Sequence, residues 1–140
     1  SSGKGVLQDY KEAAKLLRLA AEQGHIAAQH DLAVLYIKGQ GVEQNYTKAF
    51  KWFLLGANRG EADSQRSLGR MFREGLGVTQ DYIQAHMWFN IAGANNGQDA
   101  ISKHHSKTAR ELRNNIANKM TSDQISKAQK LAKEWLDKNK

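Results

Sequence analysis

Three blocks of the form G-x-G-V, each followed by an acidic or amide residue, a tyrosine and an alanine, recur along this chain at one spacing. They read Gly3, Gly5, Val6, Asp9, Tyr10, Ala13; then Gly39, Gly41, Val42, Asn45, Tyr46, Ala49; then Gly75, Gly77, Val78, Asp81, Tyr82, Ala85. The offset is 36 residues both times, without a gap. A fixed period of about 20 to 50 residues means that one supersecondary unit has been copied and stacked, each copy burying an apolar face that it cannot bury alone. The architecture is constrained before any residue is considered for chemistry. Stacked units also present a long continuous surface, which suits binding better than catalysis.

Each unit holds two helical patterns separated by glycine. From Ile26 to Lys38, the residues Ala28, Leu32, Leu35 and Tyr36 recur at spacings of three and four, which is one face of a helix. Gly39 and Gly41 then supply left-handed backbone for a C-cap and turn. Asn45 is placed to cap the next helix, as Asp9 and Asp81 are in their copies. Glu12 and Gln84, three residues beyond the two aspartates, complete approximate capping boxes. The second helix is expected to bury Tyr46, Ala49, Trp52, Phe53 and Ala57 and to end near Gly60. Its counterparts are Tyr10, Ala13, Leu16, Leu17 and Ala20 before Gly24, and Tyr82, Ala85, Trp88, Phe89 and Ala92 before Gly97. Alanine or glycine at positions 28, 33, 49, 57, 69 and 85 lets neighbouring helices approach closely, while Tyr36, Phe72, Trp52 and Trp88 fill the space beside them. The aromatic stripe therefore reads as core.

The absence of proline and the abundance of Ala, Leu, Lys and Gln favour helix throughout a chain of 140 residues, the size of one domain. There is no cysteine, which excludes a disulfide framework, a thiolate nucleophile and a zinc–thiolate site. No apolar run approaches the roughly 18 residues needed to span a bilayer. The net charge of +7 is concentrated: residues 103–140 hold 10 Lys and Arg against 4 Asp and Glu, whereas residues 1–102 hold 11 against 10. A basic C-terminal third points to an acidic partner, an anionic surface or nucleic acid, or else to the solvated face of terminal helices.

Residues 57–88 carry Ala57, Gly60, Leu68, Gly69, Gly75, Gly77, Val78, Asp81, Ala85 and Trp88, with Ser64 and Phe72 as mild departures; residues 21–52 carry the same pattern with Ala33 and Asn45 as departures. This pattern resembles the Sel-one-like repeat, a relative of the tetratricopeptide repeat. The tail is similar to the common C-terminal ending of that family, with Met120-Thr121 ahead of a helix from Gln124 to Trp135. The resemblance implies a right-handed α-solenoid of antiparallel helix pairs. It divides the chain into a partial repeat at 3–24, repeats at 25–60 and 61–97, and capping helices at 98–140. In the cap, Ile101, Ala109, Leu112 and Ile116 are expected to face inward, a Thr121–Gln124 capping box to open the last helix, and Ile125, Ala128, Leu131, Ala132 and Trp135 to close the stack. Residues 1 and 2 would be the last turn of a first helix. The apolar edge of Leu16, Leu17 and Leu19 would then receive further repeats upstream. The resemblance also implies protein–protein interaction as an adaptor or scaffold, with no cofactor.

Candidates for catalysis are thin. Ser1-Ser2-Gly3-Lys4 has the S-x-x-K spacing of a serine acylase but lacks the accompanying S-D-N or K-T-G elements, so a hydrolase reading has little to stand on. The histidines, His25, His30, His86, His104 and His105, form no H-E-x-x-H or other metal-gripping pair on one helix face. His104 and His105, being adjacent, point to different sides of their helix and read as surface residues.

Superposing the first helices of the units yields the strongest functional signal. With one residue inserted near Asn95-Asn96, His30 aligns with Arg66 and Lys103, Val34 with Arg70 and Lys107, and Ile37 with Arg73 and Arg110. Arg66, Arg70 and Arg73 lie at i, i+4 and i+7, away from Leu68 and Phe72, and Lys103, Lys107 and Arg110 repeat that geometry. In tetratricopeptide-like stacks these positions line the concave groove, so the resemblance implies a basic groove grading into the apolar end of His30, Val34 and Ile37. Such a groove suits an acidic protein segment or a terminal carboxylate. The alternative is a solvated face partly neutralised by Glu74 and Glu111. Nucleic acid is the rival partner, but the groove positions lack the aromatic side chains that helical-repeat RNA readers stack against bases.

Overall fold

A computed structural model of the chain describes residues 2–94 and 100–139, and these form seven α-helices and no strand. In order they are α1 (Ser2–Glu22), α2 (Ile26–Lys38), α3 (Tyr46–Asn58), α4 (Ala62–Glu74), α5 (Tyr82–Gly93), α6 (Ala100–Ala117) and α7 (Ser122–Lys138). Consecutive helices from α1 through α6 pack on one another, whereas α7 returns to lie on α5. The arrangement is an α-solenoid of helix pairs. Ser1, Gly97 and the insertion at Asn95-Asn96 lie outside the described residues.

The turns follow from the repeated glycines. Gly39 ends α2 in left-handed backbone at φ 68°, its N–H donating to the Leu35 carbonyl, and Gly75 ends α4 at φ 70° on the Met71 carbonyl. The chain then closes back on its own helix: the N–H groups of Asn45 and Asp81 donate to the Tyr36 and Phe72 carbonyls, both at 2.9 Å. Asn45 caps α3 by accepting from Lys48 N–H at 3.0 Å, and Asp81 caps α5 from Gln84 N–H at 3.1 Å. Thr121 and Gln124 make both bonds of the expected capping box, at 3.1 and 2.9 Å. Gly77 has a second duty. A Cβ there would lie 2.5 Å from the Tyr46 carbonyl oxygen, so the loop between α4 and α5 sits directly on the first turn of α3, the second helix of the pair before it.

The core falls into two clusters, a long one around Leu32, Phe53 and Leu68 and a smaller one of Ala85, Phe89 and Ile116, with Phe72 packed against both. Leu32, Leu68, Phe53 and Phe89 are fully enclosed, with Ala33, Ala49, Ala57 and Ala85 between them. Each large side chain contributes about 1.5–3 kcal/mol of burial. Gly69 is required by contact: an added Cβ would fall 2.6 Å from Cδ1 of the Phe89 ring. Helix α5 is buried on nearly every side, from Ala85 to Phe89 and from Ile91 to Gly93, because α4, α6 and α7 surround it. Trp135 of α7 meets Trp88 edge to face at 5.9 Å and reaches Asn58 of α3 through its indole N–H at 3.4 Å.

Three expectations fail, each for a packing reason. The first G-x-G-V block is not a turn: α1 runs unbroken from Ser2, and Asp9 stands inside it rather than at its cap. In the other copies the turn rests on the Tyr36 or Phe72 carbonyl of the helix before it, whereas here the corresponding residues are taken into the helix that packs on α2. Tyr10, Ala13 and Leu16 are exposed instead of buried, and Ala14 and Ala21 carry the contact with α2. Leu16 and Leu19 form the expected apolar edge, at 64% and 51% exposure, with Leu17 half-buried. Ile101 is 69% exposed rather than inward, because it lies at the mouth of a cleft between α2, α4 and α6.

Candidate interaction face

The first helices of successive pairs, α2, α4 and α6, converge on one cleft of about 470 Å³. Its walls come from the starts of these helices: Ala27, His30 and Asp31 of α2, Ala62 and Asp63 of α4, and Ile101 and His105 of α6. The remaining face runs from this cleft along α4 and α6 toward their C-terminal ends.

Charges on the face divide into committed and uncommitted groups. Arg66 donates to Asp63 at 3.1 Å and is mostly enclosed, and the same carboxylate takes His105 Nδ1 at 3.0 Å. That single carboxylate ties α4 to α6. Arg73 pairs with Glu74 at 3.1 Å. Arg110 turns back onto α5, donating to the Gly93 carbonyl at 2.7 Å with its Cγ 2.6 Å from where a Gly93 Cβ would stand. Arg70, Lys103 and Lys107 are exposed and have no ion-pair partner among the described residues. Partial burial and the flanking Arg66 and Arg73 charges hold the Arg70 guanidinium below the ordinary arginine value, against the opposing pull of Glu74. Three like charges therefore crowd one side of α4, and one of them lacks a counter-ion.

The apolar end of the face is partly consumed by folding. Val34 and Ile37 are half-buried against the core, and the His30 ring stands edge-on to Phe53 at 5.6 Å while its Nδ1 faces Asp31 at 3.8 Å. Among the described residues, no three His, Asp or Glu side chains come together as metal ligands, and no helix is long and apolar enough to cross a membrane.

A family profile described as Sel1 repeat matches residues 1–25, 26–61 and 62–97 in direct succession. The chain belongs to the Sel1 repeat family. Sel1 repeat proteins are generally scaffolds for protein–protein interaction, and the fold is typically non-catalytic. Among solved structures, this Sel1 chain is similar to c5321, a protective antigen of uropathogenic Escherichia coli strains with an SLR fold. The identity is 32% and the TM-score 0.81, over 92% of this chain and 26% of that one. It is also similar to a Sel1 repeat protein from Oxalobacter formigenes, at 37% identity and a TM-score of 0.56, over 58% of this chain and 62% of that one. The chain thus spans about a quarter of the first of these proteins. No curated protein matches the sequence.

Two pairs of Sel1 residues that motif reading passed over hold the stack together. Gln29 and Gln65, buried and offset by one repeat, donate their side-chain amides to the carbonyls of Ala21 and Ala57 at 3.0 and 3.1 Å. Each closes the C-terminal end of the preceding helix, and Gln29 also accepts from Arg59 at 2.5 Å. Gln44 and Gln80 do the same for the Ile37 and Arg73 carbonyls, at 2.8 and 2.7 Å. Their common offset was visible in the sequence, but a glutamine among polar residues looks like surface until its carbonyl partner is located.

Proposed function

We propose that this Sel1 repeat chain is a docking scaffold that receives an acidic segment of a protein partner across the face of α2, α4 and α6. The observation that carries the reading is the set of exposed, unpaired cations on that face, Arg70, Lys103 and Lys107. Arg66, Arg73 and Arg110 stand behind them, already hydrogen-bonded within the fold and so held in place. Guanidinium groups of this kind meet carboxylates as paired donors, and the cluster draws an acidic chain in by long-range attraction before contact. His30, Val34 and Ile37 extend the surface toward less charged ground, which suits a partner whose acidic run is followed by apolar residues. The partner is a polypeptide and no cofactor is involved.

The test is fluorescence anisotropy with a labelled glutamate-rich peptide against the parent chain and the variant Arg70→Glu/Lys103→Glu/Lys107→Glu. Affinity should fall at least about tenfold, equivalent to about 1.4 kcal/mol. The far-UV spectrum should stay helical. Reversal of Lys127 and Lys130, cations on α7, should leave binding within about twofold. An equal loss from both sets would reduce the effect to net charge and overturn the proposal. Single-stranded RNA is the control ligand for the rival class. Saturable RNA binding that falls steeply with salt would transfer the face to nucleic acid.

A further inference from the structure

The 36-residue period maps one filled groove onto one open groove. Helix α7 lies on α5 beside the end of α3, with Trp135 on Trp88, Leu131 and Trp135 in one crevice with Met87, and Leu136 next to Ile91 and Asn58. Moving Asn58, Met87, Trp88 and Ile91 back by one repeat gives Glu22, Lys51, Trp52 and Leu55. These four residues line an open cleft of about 640 Å³ between α1 and α3. Its floor is Leu32 and Tyr36 of α2, both enclosed, with Trp52 half-buried and Leu55 at 41% exposure. The molecule therefore shows, in its own third pair, what kind of element this groove holds: an amphipathic helix bearing small, leucine and tryptophan residues on one stripe (Ala128, Leu131, Ala132, Trp135).

The two grooves differ in charge, and that difference selects the occupant. Arg18, Lys48 and Lys51 stand around the open cleft, where the filled groove has the uncharged Leu54, Gln84 and Met87. Among the described residues, Glu22 is the one carboxylate lining the open cleft. Lys48 is held over the Tyr36 ring at 5.5 Å, so its charge sits at the edge of the apolar floor. The chain's own α7 offers such a rim mixed charge, Lys127 and Lys138 as well as Glu134 and Asp137, and not an acidic flank. We propose that the cleft between α1 and α3 is a second docking site. Its occupant is an amphipathic helix of a partner protein with a small–leucine–aromatic stripe and acidic flanks. The site lies on different helices from the α4 and α6 cations and does not depend on them.

The probe is a synthetic labelled peptide of residues 122–138 in which Lys127→Glu, Gln129→Glu and Lys138→Glu make the flanks acidic, compared with the unaltered peptide. Binding to the whole chain is followed by anisotropy up to millimolar concentration. The acidic peptide should bind saturably and at least about fivefold more tightly than the unaltered one. Lys48→Glu/Lys51→Glu and, separately, Leu55→Asp should each weaken it about tenfold or more. Leu55 is exposed enough that its variant keeps the fold, which circular dichroism checks. Arg70→Glu should leave this binding unchanged within about twofold, which separates the site from the face proposed above. Tighter binding of the unaltered peptide would assign the groove to α7 of a second copy and overturn the acidic occupant. Absent binding, or binding insensitive to Leu55→Asp, would overturn the site itself.

Discussion

Gly77→Ala tests whether the loop inside one pair also holds that pair against the pair before it or merely joins its own two helices. Gly77 has φ 72°, where an alanine is strained by about 1–2 kcal/mol. A Cβ there would also lie 2.5 Å from the Tyr46 oxygen, 2.6 Å from its carbon and 3.0 Å from the Thr47 nitrogen. Those are backbone atoms of α3, so the collision is relieved only by moving one pair against the next. Overpacking of that kind costs about 1–3 kcal/mol, for a total of about 2–5 kcal/mol. Gly75→Ala is the matched control. Its φ is 70° and its nearest neighbours, on Gln80, are at 3.4 Å, so it carries the strain without the collision. At about 4 °C per kcal/mol for a domain of this size, Gly75→Ala should lower Tm by about 4–8 °C and Gly77→Ala by about 8–20 °C. Thermal unfolding followed by far-UV circular dichroism measures both. Hydrogen exchange at the start of α3 should quicken in Gly77→Ala alone. If the two variants unfold together, the loop contact carries no stability and the account of inter-repeat packing is wrong.

Two further predictions concern α5 and the helix that covers it. His86 is buried, its Nδ1 has no partner among the described residues, and burial first, then the Arg113 charge, lowers its pKa. The unfolded chain thus takes up a proton near pH 6.5 that the folded chain refuses, so stability is complete above that pH and falls as the solution is acidified through it. Urea midpoints at pH 7.5 and 5.5 should differ in the parent and differ less in His86→Gln; equal pH dependence in both would remove His86 as the cause. Trp135→Ala removes the ring packed on Trp88 and the bond to Asn58, and from a half-buried position should cost about 2–3 kcal/mol in urea unfolding. A change below about 0.5 kcal/mol would mean that α7 does not close the stack.

Periodicity made the repeat legible because it governs local chemistry. Gly39 and Gly75 adopt left-handed backbone, and Asn45 and Asp81 cap helices, through bonds made within a few residues of themselves. The same block failed at Gly3 and Gly5 because its turn is not wholly local. In the later copies it leans on the Tyr36 and Phe72 carbonyls, whereas Gly3 and Gly5 are part of helix α1. Ile101 failed for the same class of reason, since inwardness depends on what stands across from a side chain rather than on its place in a heptad-like pattern.

The candidate face shows where such reasoning stops. Spacing put Arg66, Arg70 and Arg73 on one side of α4, but partners decide which of them is available, and partners do not repeat. Asp63 has no acidic counterpart one repeat earlier, where Ala27 stands, and none among the described residues one repeat later. Yet it takes both Arg66 and His105 and thereby joins α4 to α6. Removing it should therefore do two things at once, loosening the α4–α6 contact and freeing another cation for the partner. Asp63→Asn should lower Tm by a few degrees while tightening the glutamate-rich peptide. A loss of stability with weaker peptide binding would mean that Asp63 organises the face rather than neutralising it.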